Sequence, residues 1–599
     1  MKVVLVLCGL LGVFGKVRVI KDESDLNALS LELEDAVESI EVSRNGTSRA
    51  FLQEKIRTVL SSLFVKAEKA LACSACQLGI RALHRIAQWE WTRSPFLEAV
   101  NHLCHLVSGK PPSVCRGIAH SSGSTTYDII RRMDPSLNVV PPMACYALGN
   151  VCPMPQIDLQ PLALPEQTTD VRIQGGGGSL SVMQISDLHY DREYQEGAEA
   201  DCNKPICCQQ DSNSDMENKT VKSPASKWGE YTCDASKDMV KSMLEHAALQ
   251  SYDMILFTGD LPAHDMWKEE RSRSLKTEEE AFGFIHDYFP GERIYPAIGN
   301  HESVPLNQFP FQGTEEGKDF YLYRFMASQW KQWLDEPQLQ MVRKVGYYSK
   351  DHSHTLKVIV LNNNLFYTYN YYALLHPTDN DPNGMFTWLI QELQQVEDNG
   401  GWAYLASHIP PGSTDFYQHW SEAYHRIIER YAHVISGQFY GHLHTDEFEI
   451  FYNQANKTAA TAISTAYLAP SVSTMNGINP SYRVYSVEQA TYRVLDYTQY
   501  YADLKKKANW TSRATWEVMY SARDAYTNGY NPPTLDAKFW HLATAGMEKN
   551  PNHFSLFQAH LKGKGLVTTV CDIACRQRTI CTLRAAKSKD NCAIITPFS

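Results

Sequence analysis

The chain has 599 residues, of which 43% are apolar and 21% are charged, and its formal net charge is −11. This composition excludes a disordered chain, and the length predicts roughly two to four domains. The negative charge and the lack of a strongly basic stretch argue against a nucleic-acid partner.

Residues 1–15, MKVVLVLCGLLGVFG, contain the three parts of a secretory signal peptide: a basic residue, an apolar run and small residues near Gly15. The run is too short to span a bilayer comfortably, and no later stretch reaches about 18 apolar residues. We therefore expect cleavage near Gly15 and a soluble protein in a luminal or extracellular compartment. An uncleaved anchor is the alternative.

The use of cysteine agrees with that compartment. Of the fifteen cysteines, Cys8 lies in the signal peptide, and the other fourteen lie before residue 234 or after residue 570. An even number in an oxidising compartment predicts that all fourteen are paired. Sequons for N-glycosylation point to the same compartment, and they lie at Asn45, Asn218, Asn456 and Asn509.

Residues 16–68 are typical of a charged helical lead-in, and a segment with six cysteines follows at residues 69–153. Apolar residues of this segment recur at helical spacing, so that Cys76, Ile80 and Leu83 fall on one helical face. A small all-helical module stapled by three disulfides is predicted, because so short a segment has a small core. Spacing alone leaves the fifteen possible pairings open. The six cysteines are Cys73, Cys76, Cys104, Cys115, Cys145 and Cys152.

Residues 154–178 begin with a stretch rich in proline and end with four consecutive glycines. Prolines at this density favour an extended, semi-rigid linker. We do not interpret the glycines as a phosphate-binding loop, because no Gly-Lys-Ser/Thr sequence follows them.

Residues 179–490 contain short apolar runs that end in polar clusters, and helical stretches lie between some of them. Strands that alternate with helices predict an α/β sheet architecture. From residue 491 to 599 the pattern is predominantly helical, and a second cysteine cluster closes the chain. The polar clusters follow the runs SVMQIS, DMILFT, RIYPAI, WAYLA and HVISGQFY.

Loops at one edge of such a sheet converge on one crevice, so the polar residues after these strands are expected to meet. Their oxygen and nitrogen donors are too many for one tetrahedral metal ion, but they suit two ions with one shared carboxylate. A pair of divalent cations about 3.5–4 Å apart acidifies water and clamps phosphate oxygens. The candidate ligands are Asp187, His189, Asp260, Asn300, His408, His442 and His444.

The order D-x-H, G-D, G-N-H-E, H and G-H-x-H resembles the calcineurin-like metallophosphoesterase family. The stretches GDLPAHD, YPAIGNHES, SHIPPG, GHLHTDEFEIFY and NPSYRVY further resemble its acid sphingomyelinase branch. This resemblance implies a four-layer α/β/β/α sandwich and two zinc ions that share Asp260. It assigns Asp187, His189 and His444 to one ion, and Asn300, His408 and His442 to the other.

The segment at 69–153 resembles a saposin domain, with its opening C-x2-C and two closing cysteines seven apart. The two resemblances together imply a pairing for all fourteen cysteines. Mammalian acid sphingomyelinases also have a disulfide inside the catalytic domain, for which both cysteines are missing here. The implied pairs are Cys73–Cys152, Cys76–Cys145, Cys104–Cys115, Cys202–Cys207, Cys208–Cys233, Cys571–Cys575 and Cys581–Cys592.

The resemblance implies hydrolysis of sphingomyelin to ceramide and phosphocholine, by in-line attack of a hydroxide that bridges the metals. The leaving alkoxide requires a proton, and His301 and His264 are the candidates for the general acid. A protonated histidine favours acidic pH, which agrees with a secreted and/or lysosomal enzyme. The saposin-like module would dock on sphingomyelin-containing membranes or lipoproteins, and we expect a monomer.

Three other functions are compatible with parts of this pattern. A nucleotide or other phosphodiesterase of the sphingomyelinase-like branch is one, although such relatives as a rule lack the saposin module. A purple acid phosphatase is disfavoured, because Ala263 occupies the position of that family's iron-binding tyrosine. A non-catalytic lipid-binding protein is disfavoured by the complete ligand set.

Overall fold

The computed structural model describes residues 18–43, 48–167, 176–216, 220–566 and 571–594. The predicted signal peptide and the sequons at Asn45 and Asn218 lie outside these ranges. In the part of the chain that is described, no helix combines the length and the apolar character needed to cross a membrane.

The N-terminal region is helical, as predicted. Two helices, which precede the cysteine segment, belong to what we call the N-terminal cover, residues 18–43 and 48–65. Five more form what we call the N-terminal module, residues 69–153. Asp22 and Ser48 accept hydrogen bonds from the first turns of the two cover helices and thereby cap them. The helices are α1 (Glu23–Val42), α2 (Arg49–Ser61), α3 (Lys69–Ala87), α4 (Arg93–Ser108), α5 (Pro112–Ser121), α6 (Gly123–Arg132) and α7 (Val140–Ala147).

Three disulfides close the N-terminal module, and four more lie in two other segments, residues 202–233 and 571–592. Within the described residues there are seven, and each joins a pair that the resemblance implies. In the module, Cys76–Cys145 ties α3 to α7, Cys73–Cys152 ties α3 to the segment after α7, and Cys104–Cys115 ties α4 to α5.

Residues 179–521 supply the strands of two mixed sheets. The first has the order β12-β11-β10-β1-β2-β3 and the second β4-β5-β6-β7-β9-β8, six strands each among the described residues. Strands β1, β2 and β3 run parallel to one another, as do β5, β6, β7 and β9. The strands are β1 (Ser179–Ile185), β2 (Met254–Phe257), β3 (Ile294–Pro296), β4 (Tyr348–Asp351), β5 (Leu356–Val360), β6 (Trp402–Ala406), β7 (Ile435–Tyr440), β8 (Glu447–Tyr452), β9 (Ala462–Leu468), β10 (Ser481–Glu488), β11 (Val494–Tyr501) and β12 (Glu517–Ser521).

The two sheets face each other, and helices cover their outer faces. Between the sheets, the amide of Gln184 donates to the carbonyl of Tyr440 at 3.0 Å. On the outside, Phe282 of α9 meets Phe257 of β2, and Tyr424 of α13 donates to Gln438 of β7. This is the predicted four-layer sandwich. Its helices are α8 (Lys237–Ala247), α9 (Arg271–Tyr288), α10 (Tyr321–Gln329), α11 (Glu336–Val345), α12 (Met385–Asp398) and α13 (Gln418–Tyr431).

The C-terminal part is helical and disulfide-bonded, but the boundary that the sequence placed at residue 490 falls inside one sheet. Strand β11 pairs with β10 along seven residue pairs, and β12 pairs with β11. The chain becomes helical only after Ser521. The reason is that β11 buries Gln499 along with Val494, Tyr497 and Tyr501, so its sequence lacks the alternation of apolar and polar residues that predicts a strand. The helices are α14 (Ala522–Tyr526), α15 (Ala537–Lys549), α16 (Pro551–Leu561) and α17 (Ile573–Leu583).

The N-terminal module rests on the loop that follows β2. Val114 of α5 lies in an apolar cluster with Met266 and Trp267 of that loop. Gly117 permits this approach, because a Cβ at that position would overlap the carbonyl oxygen of Trp267 and lie 2.7 Å from its carbonyl carbon. The module is therefore in direct contact with a loop that carries two of the candidate site residues.

Candidate metal centre

The loops after β1, β2, β3, β6 and β7 meet where the carboxyl ends of these strands face one another. Backbone hydrogen bonds join the first two loops, from Asp187 N–H to the Gly259 carbonyl at 2.9 Å and from His189 N–H to the Asp260 carbonyl at 3.1 Å. The last two loops are joined by the bond from Gly441 N–H to the His408 carbonyl. The backbone itself therefore brings together residues that are far apart in the sequence.

Many of the predicted ligands have a left-handed backbone conformation. The φ angles are 52° at Asp187, 40° at His189, 63° at Asp260, 72° at His442 and 64° at His444. A residue with a side chain is uncommon in this region, and it persists only where the surrounding structure enforces it. Such backbone strain is typical of functional sites, and here it turns consecutive side chains into one crevice.

Two glycines next to these ligands leave room for carboxylates. A Cβ at Gly299 would overlap Oδ1 of Asp260, and a Cβ at Gly441 would overlap Ser186 and lie 2.5 Å from Oδ2 of Asp187. Both carboxylates are almost fully buried. The glycines of GNHE and GHLH therefore belong to the site because of the space they leave.

One group of donors surrounds His189. Its Nε2 lies 3.0 Å from Nε2 of His444, 3.4 Å from Oδ2 of Asp260 and 3.8 Å from Oδ1 of Asp187. Nε2 of His444 lies 3.5 Å from the same oxygen of Asp187. These are the four residues that the resemblance assigns to one metal ion.

A second group surrounds Asn300. Its Oδ1 lies 2.9 Å from Nε2 of His408 and 2.9 Å from Nδ1 of His442. Nε2 of His408 is also 3.2 Å from Oδ2 of Asp260. Asp260 therefore contacts both groups through one oxygen, Oδ2, the position expected of a shared ligand.

Hydrogen bonds outside the two groups fix which atom of each ligand points inward. His189 donates from Nδ1 to the Pro262 carbonyl, and His408 donates from Nδ1 to the Thr258 carbonyl. In both rings Nε2 is left to face the crevice with its lone pair. Asn300 donates from its amide nitrogen to Oδ1 of Asn307 at 2.9 Å, which turns its carbonyl oxygen inward.

The electrostatics of the site follow from burial and close pairing. Burial alone would raise the pKa of Asp260, but the neighbouring His408 and His301 hold it well below its usual range. Burial lowers the pKa of His408, but Asp260 more than offsets this and raises it to about 9. The pKa values of His264 and His301 are both well below 6.5, chiefly because the two rings are buried.

Both candidates for the general acid lie beside the first group of donors. The ring centroid of His264 is 4.0 Å from that of His189 and 4.5 Å from that of His301. Ring nitrogens of His264, His189 and His444 lie within 4.8 Å of one another, as do donor atoms of His301, His189 and Asp260. The structure thus brings all nine predicted site residues into one cluster.

Three residues of this site were missed by the sequence analysis. Asp234 holds His264, since its carboxylate lies 3.0 Å from Nδ1 and accepts the backbone N–H of His264 at 2.7 Å. Asp415 places its carboxylate 3.5 Å from Nε2 of His442, and Asn307 orients Asn300. None of the three follows a strand at the spacing that revealed the ligands, so no local signal marks them.

The donor set fits a pair of divalent metal ions. Two ligand atoms of one tetrahedral zinc ion lie about 3.3 Å apart when each bond is about 2.0–2.1 Å. The separations within the two groups, from 2.9 Å to 3.8 Å, bracket that value. The mixture of carboxylate, imidazole and amide oxygen also suits such ions.

Comparisons with known proteins agree with this geometry. Residues 180–446 match the family model described as calcineurin-like phosphoesterase. Residues 459–594 match the model described as acid sphingomyelin phosphodiesterase C-terminal region. The fold and the buried cluster of histidine and aspartate are thus those of a calcineurin-like phosphoesterase.

Curated relatives place the chain more narrowly. Sphingomyelin phosphodiesterase of Homo sapiens is 32% identical over 81% of this chain and 76% of its own length. Sphingomyelin phosphodiesterase 1 of Caenorhabditis elegans is 29% identical over 86% of this chain and 91% of its own length. Sphingomyelin phosphodiesterase of Bos taurus is 34% identical over 68% of this chain, and the match spans 64% of that relative. The chain belongs to the sphingomyelin phosphodiesterase family.

Proposed function

We propose that this chain hydrolyses sphingomyelin to ceramide and phosphocholine at a centre of two zinc ions. The observation that carries the proposal is the position of Asp260, whose Oδ2 lies 3.4 Å from His189 in one donor group and 3.2 Å from His408 in the other. The names of the curated relatives supply the substrate class.

The residues of the two groups would hold one ion each. Asp187, His189 and His444 would bind the first, Asn300, His408 and His442 the second, and Asp260 both. Bound there, two zinc ions would lower the pKa of a water molecule and offset the charge of the phosphate oxygens. The buried carbonyl partners of His189 and His408 keep their Nε2 atoms in place for this task.

His264 and His301 are the residues we assign to the proton that the leaving alkoxide needs. Asp234 accepts from Nδ1 of His264, so that the opposite nitrogen faces the donor groups. Burial lowers the pKa of both rings well below 6.5, so either ring would carry a second proton only at acidic pH. Replacement of His301 by Gln should reduce turnover without loss of metal, whereas loss of metal would contradict this role.

Access to a membrane substrate is the role we assign to the N-terminal module. Its resemblance to a saposin domain and its contact with the loop of Asp260 support this assignment. Removal of residues 69–153 should reduce hydrolysis of sphingomyelin in vesicles more than hydrolysis of a soluble phosphodiester. Equal losses on both substrates would mean that the module only supports folding.

We further propose that the mature protein is a secreted and/or lysosomal glycoprotein that acts as a monomer. Seven disulfides are typical of an oxidising compartment. The sequons at Asn456 and Asn509 lie on exposed residues, where a glycan can be accommodated. Digestion of the purified protein with a glycosidase, followed by mass measurement, tests the glycans.

The test of the activity uses one protein and two substrates. Purified protein would be incubated with sphingomyelin vesicles and with a nucleotide phosphodiester, with zinc or with a chelator, at pH 5 and pH 7. We expect phosphocholine release from the vesicles, faster at pH 5 and abolished by the chelator. Hydrolysis of the nucleotide substrate alone would favour the sphingomyelinase-like alternative, and no hydrolysis of either would contradict a catalytic role.

A further inference from the structure

The loop that follows β6 contributes to the second donor group at both of its ends. We call residues 408–417 the His408 loop. It begins with His408, one of the predicted ligands, and near its end Asp415 places its carboxylate 3.5 Å from Nε2 of His442. Since His442 faces Asn300 with Nδ1, Asp415 contacts the other nitrogen of that ring. The course of this loop therefore affects two of the three unshared members of the second group.

A segment near the C-terminus lies against the His408 loop. We call residues 584–592, which follow α17, the C-terminal brace. Two of its side chains donate hydrogen bonds to carbonyl oxygens of the loop. Nδ2 of Asn591 donates to Gly412 at 2.8 Å, and Oγ of Ser588 donates to Phe416 at 2.7 Å. Both donors are buried, so the loss of either one would leave a carbonyl of the loop without its partner, at a cost in free energy.

The side chain of Asn591 is held so that its amide nitrogen, and not its oxygen, faces the loop. Its Oδ1 accepts from the backbone N–H of Ala593 at 2.9 Å and from the hydroxyl of Thr582 at 3.3 Å. The disulfide Cys581–Cys592 joins α17 to the end of the brace, directly beside Asn591 and both of these partners. The donor to the loop is therefore oriented by contacts within its own segment.

Gly412 allows the brace and the loop to approach each other this closely. A Cβ at this position would overlap the carbonyl oxygen of Ala585 and lie 2.8 Å from the carboxylate carbon of Glu449. The N–H of Gly412 donates to that carboxylate at 2.9 Å. Both polar backbone groups of Gly412 thus have buried partners, one from the brace and one from β8.

We propose that Ser588 and Asn591 are positioning residues for the second donor group, and that they act through the backbone of the His408 loop. Without their hydrogen bonds the loop would shift, and His408 and Asp415 would move with it. The ligands of the first group would keep their places, because they come from the loops after β1, β2 and β7. Occupation of the group by a metal ion rests on the proposed function, whereas the contacts of the brace do not.

Metal titration of the full-length apoprotein tests the brace without any need for catalysis. The protein would be titrated with Zn²⁺ at buffered free concentrations, and with Co²⁺, whose visible absorption reports the occupied sites. Wild type should bind two ions. The variant Ser588→Ala/Asn591→Ala should keep the first ion and bind the second about tenfold more weakly, because partners outside the ligands contribute roughly 10- to 100-fold to metal affinity. Lys589→Ala is the matched control, since Lys589 lies in the same turn but pairs with Glu422 at the surface.

A narrower variant isolates one hydrogen bond. Asn591→Asp removes only the amide donor, since a carboxylate can still accept from Ala593 and Thr582. It should also weaken the second ion, and excess Zn²⁺ should restore kcat on a soluble phosphodiester.

Retention of the first ion would show that each variant is folded. Equal weakening of both ions would overturn the proposal, because the brace would then only support the fold, and so would wild-type affinity for both ions. A wild-type protein that binds two ions and cleaves no phosphodiester would refute the proposed function and leave the role of the brace standing.

Discussion

The metal centre and the N-terminal cover are held in opposite ways. At the centre, ligands such as Asp187 and Asp260 sit in left-handed backbone conformations, beside glycines that no other residue can replace without overlap. The cover is held by an apolar face and an exposed ion pair. Directional polar contacts define the position of each ligand, whereas the cover is held by the apolar area that it buries. The site is thus fixed by strained backbone and polar partners, and the cover by its buried apolar face.

The largest loss of activity is expected from a change at Asp260, the carboxylate that contacts both donor groups. Asp260→Asn should reduce phosphodiester hydrolysis roughly a thousandfold, because an amide cannot balance the charge of two ions. The metal content, measured by elemental analysis, should fall below two ions per chain. Asp238→Asn, an exposed change on α8, is the matched control. Full metal content in Asp260→Asn would disprove the shared site.

The next largest loss of activity is expected at Asp234, which would act on catalysis by orienting His264. Asp234→Asn should lower kcat about 10- to 100-fold without loss of metal, because His264 would lose its orienting carboxylate. The double variant with His264→Gln should be no slower than His264→Gln alone, since the two residues act as a unit. Additive losses would show that Asp234 supports the structure and not the proton donor.

A smaller effect is expected at the seam between module and catalytic sheets. Gly117→Ala forces α5 away from the carbonyl of Trp267 and should destabilise the protein by about 1–3 kcal/mol. Hydrolysis of vesicle lipid should fall more than hydrolysis of a soluble substrate. Gly283→Ala adds the same methyl group in open space inside α9, so both rates should be unchanged and the melting temperature should rise slightly, because alanine favours the helix more than glycine does. Unchanged behaviour of Gly117→Ala would contradict a tight seam.

The smallest effect lies where the linker joins the first sheet. The carboxylate of Glu488 accepts backbone N–H groups of Gly176, Gly177, Ala490 and Thr491. Burial would raise its pKa, but these bonds lower it to about 2. Because the pKa in the folded state is below the ordinary 4.5, the stabilisation is complete above pH 4.5 and is lost as the pH falls toward 2.

Glu488→Gln should therefore cost about 1–2 kcal/mol of unfolding free energy at pH 7. The difference from wild type should shrink between pH 4.5 and pH 2, as followed by thermal melting. A difference independent of pH would mean that the carboxylate charge is not what anchors the linker.

The clustering of the candidate ligands could be predicted from the sequence because each follows a strand within a few residues. Asp187, Asp260 and Asn300 come right after short apolar runs, and the parallel order of β1, β2 and β3 brings them to one edge. Local sequence thus determines both the strand and the direction of the loop. The helical character of the N-terminal region could be predicted for the same reason.

What could not be predicted depends on contacts between distant segments. Asp234 reaches His264 across 30 residues, and Asp415 reaches His442 from another loop. The cover illustrates the same limit, since the sequence predicts only a charged helical lead-in there, while Leu33 and Ile40 of α1 are buried in a core. Periodicity identifies an apolar face, but it does not identify the surface that the face will meet.

The carboxylate that orients His264 directly follows Cys233, the partner of Cys208. Its backbone is therefore anchored by a bond that forms only after synthesis, in an oxidising environment. Formation of that disulfide would thus fix the carboxylate that orients His264, the proposed proton donor. A chain that retained free thiols here could bind its cations and still be a poor catalyst.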